Sequence, residues 1–244
     1  MIVTYHGRPE LHRPVLVAGW PGMGLLAKIA ADYLKDQLKA ELFAEISSYR
    51  NDIAYKDGVA SYVPVRHRFY AAPEHDLIIC VGDSQPSLPY EIYSVADKVI
   101  DVAKEFDVRR IYTVAAYFSP DTPSADVFAV VNDPDLSSLV EEYNVEIAPG
   151  EGRITGLNGV LIGVAEEREI EGVCLMGRIQ YAELPQPGPA KMLIDVLARM
   201  LDMTIDTSEL GERQVTIDES IQKRISEVKR RAEKRDPGDL RYIG

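Results

Sequence analysis

The chain has 244 residues, a net charge of −12, and a composition that is 46% hydrophobic and 27% charged. These proportions match folded globular domains and exclude disorder as the dominant state. The acidic balance speaks against nucleic acid, which requires a basic face, and the length suits one large domain, or one domain with appendages, that needs no staple.

The opening MIVTYHGRPELHRP has no basic region followed by a long apolar core, so no signal peptide is read. The first strand is Val15-Leu16-Val17-Ala18-Gly19, a continuous apolar run of the kind covered on both faces. The glycine-rich turn Trp20-Pro21-Gly22-Met23-Gly24 follows. A helix comes next, with Leu26, Ile29, Ala30, Tyr33, Leu34 and Leu38 on one face. Residues 42–81 read as a set of strands, with an Asp57-Gly58 hairpin turn and the buried run Leu77-Ile78-Ile79-Cys80-Val81. The latter ends at Gly82-Asp83-Ser84-Gln85-Pro86.

A second amphipathic helix is expected over 90–106, then strands over 111–115 and 127–131 and a short helix over 136–143. Residues 154–169 read as a helix whose three glycines, Gly156, Gly159 and Gly163, suggest close approach of another backbone. A strand over 173–176 and a helix over 192–201, preceded by a proline-rich turn, complete the body. Cys80 and Cys174 lie in apolar runs and read as buried free thiols of a reducing compartment. No run of about 18 apolar residues occurs, so no membrane span is expected and the protein is placed in the cytoplasm. Strands alternating with helices define an α/β domain over 1–211, with a mixed, mainly parallel sheet flanked by helices. Residues 212–244 form a basic C-terminal amphipathic helix and tail.

That division is also one of charge. Residues 1–212 hold 18 basic and 33 acidic residues, giving −15, whereas 213–244 hold nine basic and six acidic, giving +3. Ile221, Ile225, Val228 and Ala232 form a narrow heptad-like stripe that needs a partner surface. The helix is expected to stop before Asp236-Pro237-Gly238.

Two strand ends could form a ligand rim, because ligands of open α/β sheets bind outside the carboxyl ends of strands. Gly22, Met23 and Gly24 would supply backbone N–H groups at a helix start, and Asp83, Ser84 and Gln85 polar side chains. The alternatives are a tight glycine turn that permits close packing and a polar loop that caps the next helix. The phosphate-loop Lys-Ser/Thr is absent, since Leu25 follows Gly24. His6, His12, His67 and His75 make no metal-type pair, and no Gly-x-Ser-x-Gly elbow is present. No residues are therefore assigned to catalysis, a metal or a cofactor.

Four ordered motifs carry a resemblance: Gly19 to Gly24 with its helix, Val81 to Pro86, Ile154 to Leu161, and Gly172 to Gly177 with its proline-rich sequel. Together, over about residues 13–210, the chain resembles the proteasome assembly chaperone 2 family in its archaeal single-domain form. The resemblance implies a fold of the purine nucleoside phosphorylase α/β type, no established enzymatic activity, homo-oligomers, and binding to the proteasome core particle or its assembly intermediates. It also implies a C-terminal hydrophobic–Tyr–any docking motif. Here the end is Leu240-Arg241-Tyr242-Ile243-Gly244, with the tyrosine third from the terminus. These five residues are the candidate partner contacts, since terminal carboxylates are captured by dedicated sites. The alternative function is binding of, or catalysis on, a nucleoside- or phosphate-containing small molecule at the strand-end rim.

Overall fold

The computed structural model describes residues 1–49, 52–118 and 127–233, with side chains described up to residue 227. The aliphatic runs pair at the centre of the sheet because both of their faces can be covered. β2 (Val15–Gly19) lies parallel between β7 (Leu77–Gly82) and β8 (Arg110–Phe118). β11 (Glu171–Ile179) pairs parallel with β8 along its whole length.

Antiparallel strands flank this centre. On one side β6 (Val65–Ala72) pairs with β7, β3 (Glu41–Ser48) with β6, and β1 (Ile2–Tyr5) with β3. On the other, β9 (Val127–Val131) runs antiparallel to β11, and β10 (Glu146–Ile147) lies parallel to β9. The order is β1-β3-β6-β7-β2-β8-β11-β9-β10. The sheet is thus mixed, with a parallel core, as strand–helix alternation predicts. β1 is an addition to the sequence reading: within it only Val3 is partly covered, so it carries no continuous apolar run. β4 (Ala54–Lys56) and β5 (Val59–Ser61) form a separate hairpin. Asp57 and Gly58 both have positive φ, 52° and 78°, as the expected two-residue turn requires.

α2 (Pro89–Glu105) and α4 (Leu157–Glu167) pack together on one face, burying Val95, Val99 and Leu161 with Leu16, Ile78 and Ile111. α1 (Leu26–Gln37) and α5 (Pro187–Met200) cover the other with Leu26, Leu34, Leu193 and Leu197, joined by α3 (Leu136–Glu141). The helix expected over 154–169 is shorter, and its glycines do not share one close face. Gly156 precedes the helix with φ 77°, Gly159 abuts Ile154, and a Cβ on Gly163 would meet open space. Both cysteines are buried and free, and burial pushes the Cys174 thiol up to about 11.

α6 (Ser208–Glu233) starts before the 211/212 division, so its first turn belongs to the α/β side. Asp206 caps it, accepting from Ser208 N at 3.0 Å and Ser208 Oγ at 2.6 Å. Leu210 is buried, and Gln214 Oε1 accepts Gly188 N at 2.9 Å. Beyond this anchor the helix loses cover: Ile221 is half-buried and Ile225 is 41% exposed. The side chains of Val228 and Ala232, the expected stop before Asp236, and the candidate contacts Leu240, Arg241, Tyr242, Ile243 and Gly244 lie outside the described residues.

Four helices end in the same way. The residue after the C-cap is left-handed but not glycine: Lys39 (φ 49°), Asp107 (52°), Glu169 (61°) and Asp202 (50°). The next N–H reaches back one turn further, as in Ala40 to Lys35 (3.0 Å), Val108 to Ala103 (2.9 Å), Ile170 to Ala165 (2.9 Å) and Met203 to Ala198 (2.8 Å). These are Schellman closures, which favour glycine at the left-handed position. Glu169 is exposed and makes no ion pair among the described residues, so Glu169→Gly is expected to stabilise by about 1 kcal/mol. A melt should show a midpoint roughly 2–4 °C higher; an unchanged or lower midpoint contradicts the assignment.

Candidate functional site at the carboxyl rim

The rim begins where β2 ends. Trp20 is fully buried, and its indole Nε1 donates to His67 Nδ1 at 2.8 Å. An indole nitrogen only donates, so Nδ1 accepts and the imidazole proton sits on Nε2, 3.5 Å from Ser48 Oγ. The ring passes over Gly82, the last residue of β7: a Cβ there would overlap Trp20 Cδ1. Gly82 is therefore fixed by space, not by its dihedrals.

Asn158, in the first turn of α4, holds the Trp20 backbone as a strand would. Its Oδ1 accepts Trp20 N at 3.1 Å and its Nδ2 donates to Trp20 O at 3.4 Å. Gln85 does the same one residue further on, donating from Nε2 to Pro21 O (2.6 Å) and accepting Leu157 N on Oε1 (2.7 Å). Its amide occupies the space that Gly156 leaves open. Gly24 has φ 62°, donates to Ala182 O at 2.7 Å and accepts Gln186 N at 2.9 Å. The glycine turn, the Gly82–Pro86 loop, the start of α4 and the proline-rich turn thus converge into one knot.

The rim residues singled out from the sequence divide between that knot and its surface. Gly22, Gly24 and Gln85 lie within the knot, with Gly22 close against the Gln85 amide. Met23 is exposed and Ser84 is half-buried. Asp83 turns to β6, with Oδ1 2.7 Å from Arg68 Nη1 and Oδ2 accepting Arg66 N at 3.3 Å. Beside it Arg66 Nη1 contacts both oxygens of the buried Glu45, at 2.8 and 3.0 Å. Two hollows of about 430 and 320 Å³, sharing Arg13 and Arg109, lie at the opposite, amino end of the parallel strands.

Sequence reasoning did not foresee Trp20, His67 and Asn158 as one unit, nor the aromatic dress of this rim. Tyr49, Tyr55, Tyr62, Tyr90, Tyr93 and Tyr117 are all exposed there. The available signal was composition: 13 tyrosines against five phenylalanines, where tyrosine tolerates exposure better.

Burial lowers the His67 pKa to about 4, with Asp83 opposing and Arg68 assisting. The unfolded chain takes up a proton first, so the stabilising contribution of neutral His67 is present above about pH 6.5 and is lost as pH falls toward 4. At 1.36 kcal/mol per unit that is about 3 kcal/mol. His67→Gln, which keeps an acceptor for the indole, is expected to flatten the fall in urea-unfolding stability between pH 6.5 and 4.5. An equally steep fall in both proteins contradicts the role.

A mixed α/β sheet with a parallel centre, closed at its carboxyl rim by four glycine-bearing segments, defines the class of protein. The chain belongs to the PAC2 family, whose pattern matches residues 16–225. It is similar to the crystal structure of Pyrococcus furiosus PbaB, an archaeal proteasome activator, at 28% identity and a TM-score of 0.80, over 91% of this chain and 97% of that one. Pyrococcus furiosus PbaA, an archaeal homologue of proteasome-assembly chaperone, shares the fold at 22% identity and a TM-score of 0.76, over 95% and 96% of the two chains. An uncharacterised protein of Methanocaldococcus jannaschii, MJ1210, is 26% identical over 96% of this chain and 93% of its own. Among the described residues, no helix is long and apolar enough to cross a membrane.

Proposed function

We propose that this chain is a cytoplasmic, non-catalytic homo-oligomer that binds the proteasome core particle or its assembly intermediates. Membership of the PAC2 family over residues 16–225 carries the reading, and likeness to a protein described as an archaeal proteasome activator supports it. The rim chemistry agrees. Both ends of the Gln85 amide, the Gly24 backbone and Asp83 are engaged within the chain, while the exposed surface beside them is aromatic. Such a surface suits a protein partner, since tyrosine and methionine are enriched at interfaces.

The C-terminal segment is the proposed reach toward the core particle. α6 is anchored through Leu210 and Gln214 and then extends with little cover of its own. Among the residues that follow it, Leu240 to Gly244 offer Tyr242 and Ile243 to a partner surface. Pull-down of assembled and half-assembled core particle by the full chain is expected, with capture lost when the chain ends at Asp236. Capture by neither form removes the reading.

A ligand at the rim would use Gly22, Met23, Gly24, Asp83, Ser84 and Gln85. A thermal-shift panel of nucleosides and nucleotides is expected to give no stabilisation. Stabilisation that Asp83→Ala abolishes would favour the small-molecule function instead.

A further inference from the structure

The two hollows at the amino end of the parallel strands belong to no part of the knot, and the larger is built from turns. α2 and α4 pack together and feed β8 and β11, which start in register at Arg110 and Glu171. β2 starts on the other side of β8, and Pro14 O, just before it, accepts Arg109 N at 3.0 Å. The turns that follow α2 and α4 therefore meet Arg13 around a space of about 430 Å³. Hollows of roughly 300–1,000 Å³ suit small ligands. Val108 and Ile170, both buried, give this one an apolar lining, and the rest of its wall is charged.

Those charges are not used up within the chain. Arg110 and Glu171 pair at 2.6 Å and neutralise each other. Arg13 reaches Asp107 only at 3.9 Å, and both side chains are largely exposed. Lys104, Arg109 and Glu169 make no ion pair among the described residues, although all three line the same hollow. Opposite charges held apart across a hollow leave room for a ligand that carries both. The backbone points the same way. Arg13 (φ 47°), Asp107 (52°) and Glu169 (61°) are left-handed, where glycine is the unstrained choice. Arg13 also precedes Pro14, and proline favours extended backbone in the residue before it. Strain of this kind clusters at ligand sites.

The two signs of charge define the ligand. An anion alone would meet Asp107, Glu169 and the carbonyl ends of α2 and α4, which carry partial negative charge. A cation alone would meet Arg13, Lys104 and Arg109. We propose that the hollow binds a zwitterion of the amino-acid or short-peptide kind, its carboxylate toward Arg109, Arg13 and Lys104 and its ammonium toward Glu169 and Asp107. The guanidinium fork matches a carboxylate in both charge and shape. The site lies at the far end of the strands from the rim and does not depend on core-particle binding.

Calorimetric titration of the full chain with glycylglycine tests it, beside two capped forms: N-acetylglycylglycine, which lacks the ammonium, and glycylglycinamide, which lacks the carboxylate. Glycylglycine is expected to bind saturably, and each capped form at least about tenfold more weakly, as for one lost charge-assisted contact. Arg109→Gln is expected to weaken glycylglycine about tenfold but not to weaken glycylglycinamide. Glu169→Gln is expected to weaken glycylglycine and to tighten N-acetylglycylglycine, because it removes a repelling carboxylate. Lys56→Gln, at an exposed lysine of the hairpin, is expected to change none of these. No saturable binding of glycylglycine, capped forms that bind wild type equally well, or an Arg109→Gln titration that matches wild type overturns the proposal. So does a Lys56→Gln effect as large as that of Arg109→Gln, which would mark a general charge effect and not a site.

Discussion

Gly82→Ala is expected to lower stability by about 3 kcal/mol, although the substitution adds a single methyl group. The added Cβ would overlap the buried Trp20 indole, whose nitrogen donates to His67. Forcing a methyl group into a packed core costs about 1–3 kcal/mol. Displacing the indole also leaves buried polar groups unpaired, at about 1–3 kcal/mol. At roughly 2–4 °C per kcal/mol for a chain of this size, the melting midpoint should fall by about 6–12 °C. Gly163→Ala is the control, because its Cβ would meet open space on an exposed turn of α4. There alanine is expected to stabilise by about 0.5–1 kcal/mol. Equal small effects at the two sites would show that Gly82 is not fixed by the tryptophan.

Asn158→Ala is expected to cost about 2–4 kcal/mol. Asn158 is buried and satisfies both backbone groups of Trp20, at 3.1 and 3.4 Å. Alanine leaves an N–H and a C=O without partners, and each buried orphan costs about 1–3 kcal/mol. Asn158→Asp should be no milder at neutral pH. It keeps an acceptor for Trp20 N but sets a carboxylate oxygen against Trp20 O. Gln85→Ala acts on the same knot but nearer the surface, where water can replace the amide, so about 1 kcal/mol is expected. Urea unfolding should show Asn158→Asp destabilised at least as much as Asn158→Ala, and Gln85→Ala the least. A Gln85 effect larger than that of Asn158 would place the main clasp on the outer residue.

The parallel centre of the fold is legible in the chain because burial on both faces leaves unbroken aliphatic runs at 15–18 and 77–81. The hairpin is legible because Asp57-Gly58 meets a dihedral requirement that few residue pairs satisfy. β1 is not, because an edge strand with one partly covered side chain leaves no pattern. The four motifs are visible as motifs, but their purpose is not. Trp20 meets Asn158 across 138 positions, and Gln85 reaches Leu157 across 72. No local spacing encodes such pairs, so a glycine turn that could have cradled an anion reads the same as one closed by side chains from afar. The three glycines near α4 show the converse: read as one helical face, they serve as a lead-in residue, a close contact and an open position.

Charge resolved along the chain sharpens the functional reading. The −15 body is followed in sequence by a +3 segment, which starts on α6 where Leu210 and Gln214 anchor that helix to the body. A basic segment extending from an acidic body favours an acidic protein surface over nucleic acid, and electrostatic steering of that kind weakens with salt. Replacing Lys223 and Arg224 with glutamine is therefore expected to slow association with the core particle about tenfold or less at low salt, with little change in the dissociation rate. Binding kinetics at two ionic strengths would show it, and an effect confined to dissociation would contradict it.

Sedimentation velocity of the full-length chain mixed with purified core particle tests the central claim most directly. The proposed function predicts that this chain co-sediments with the core particle as a heavier boundary, and that the boundary reverts when residues after Asp236 are removed. A core particle that sediments unchanged at every ratio of the full-length chain would contradict it.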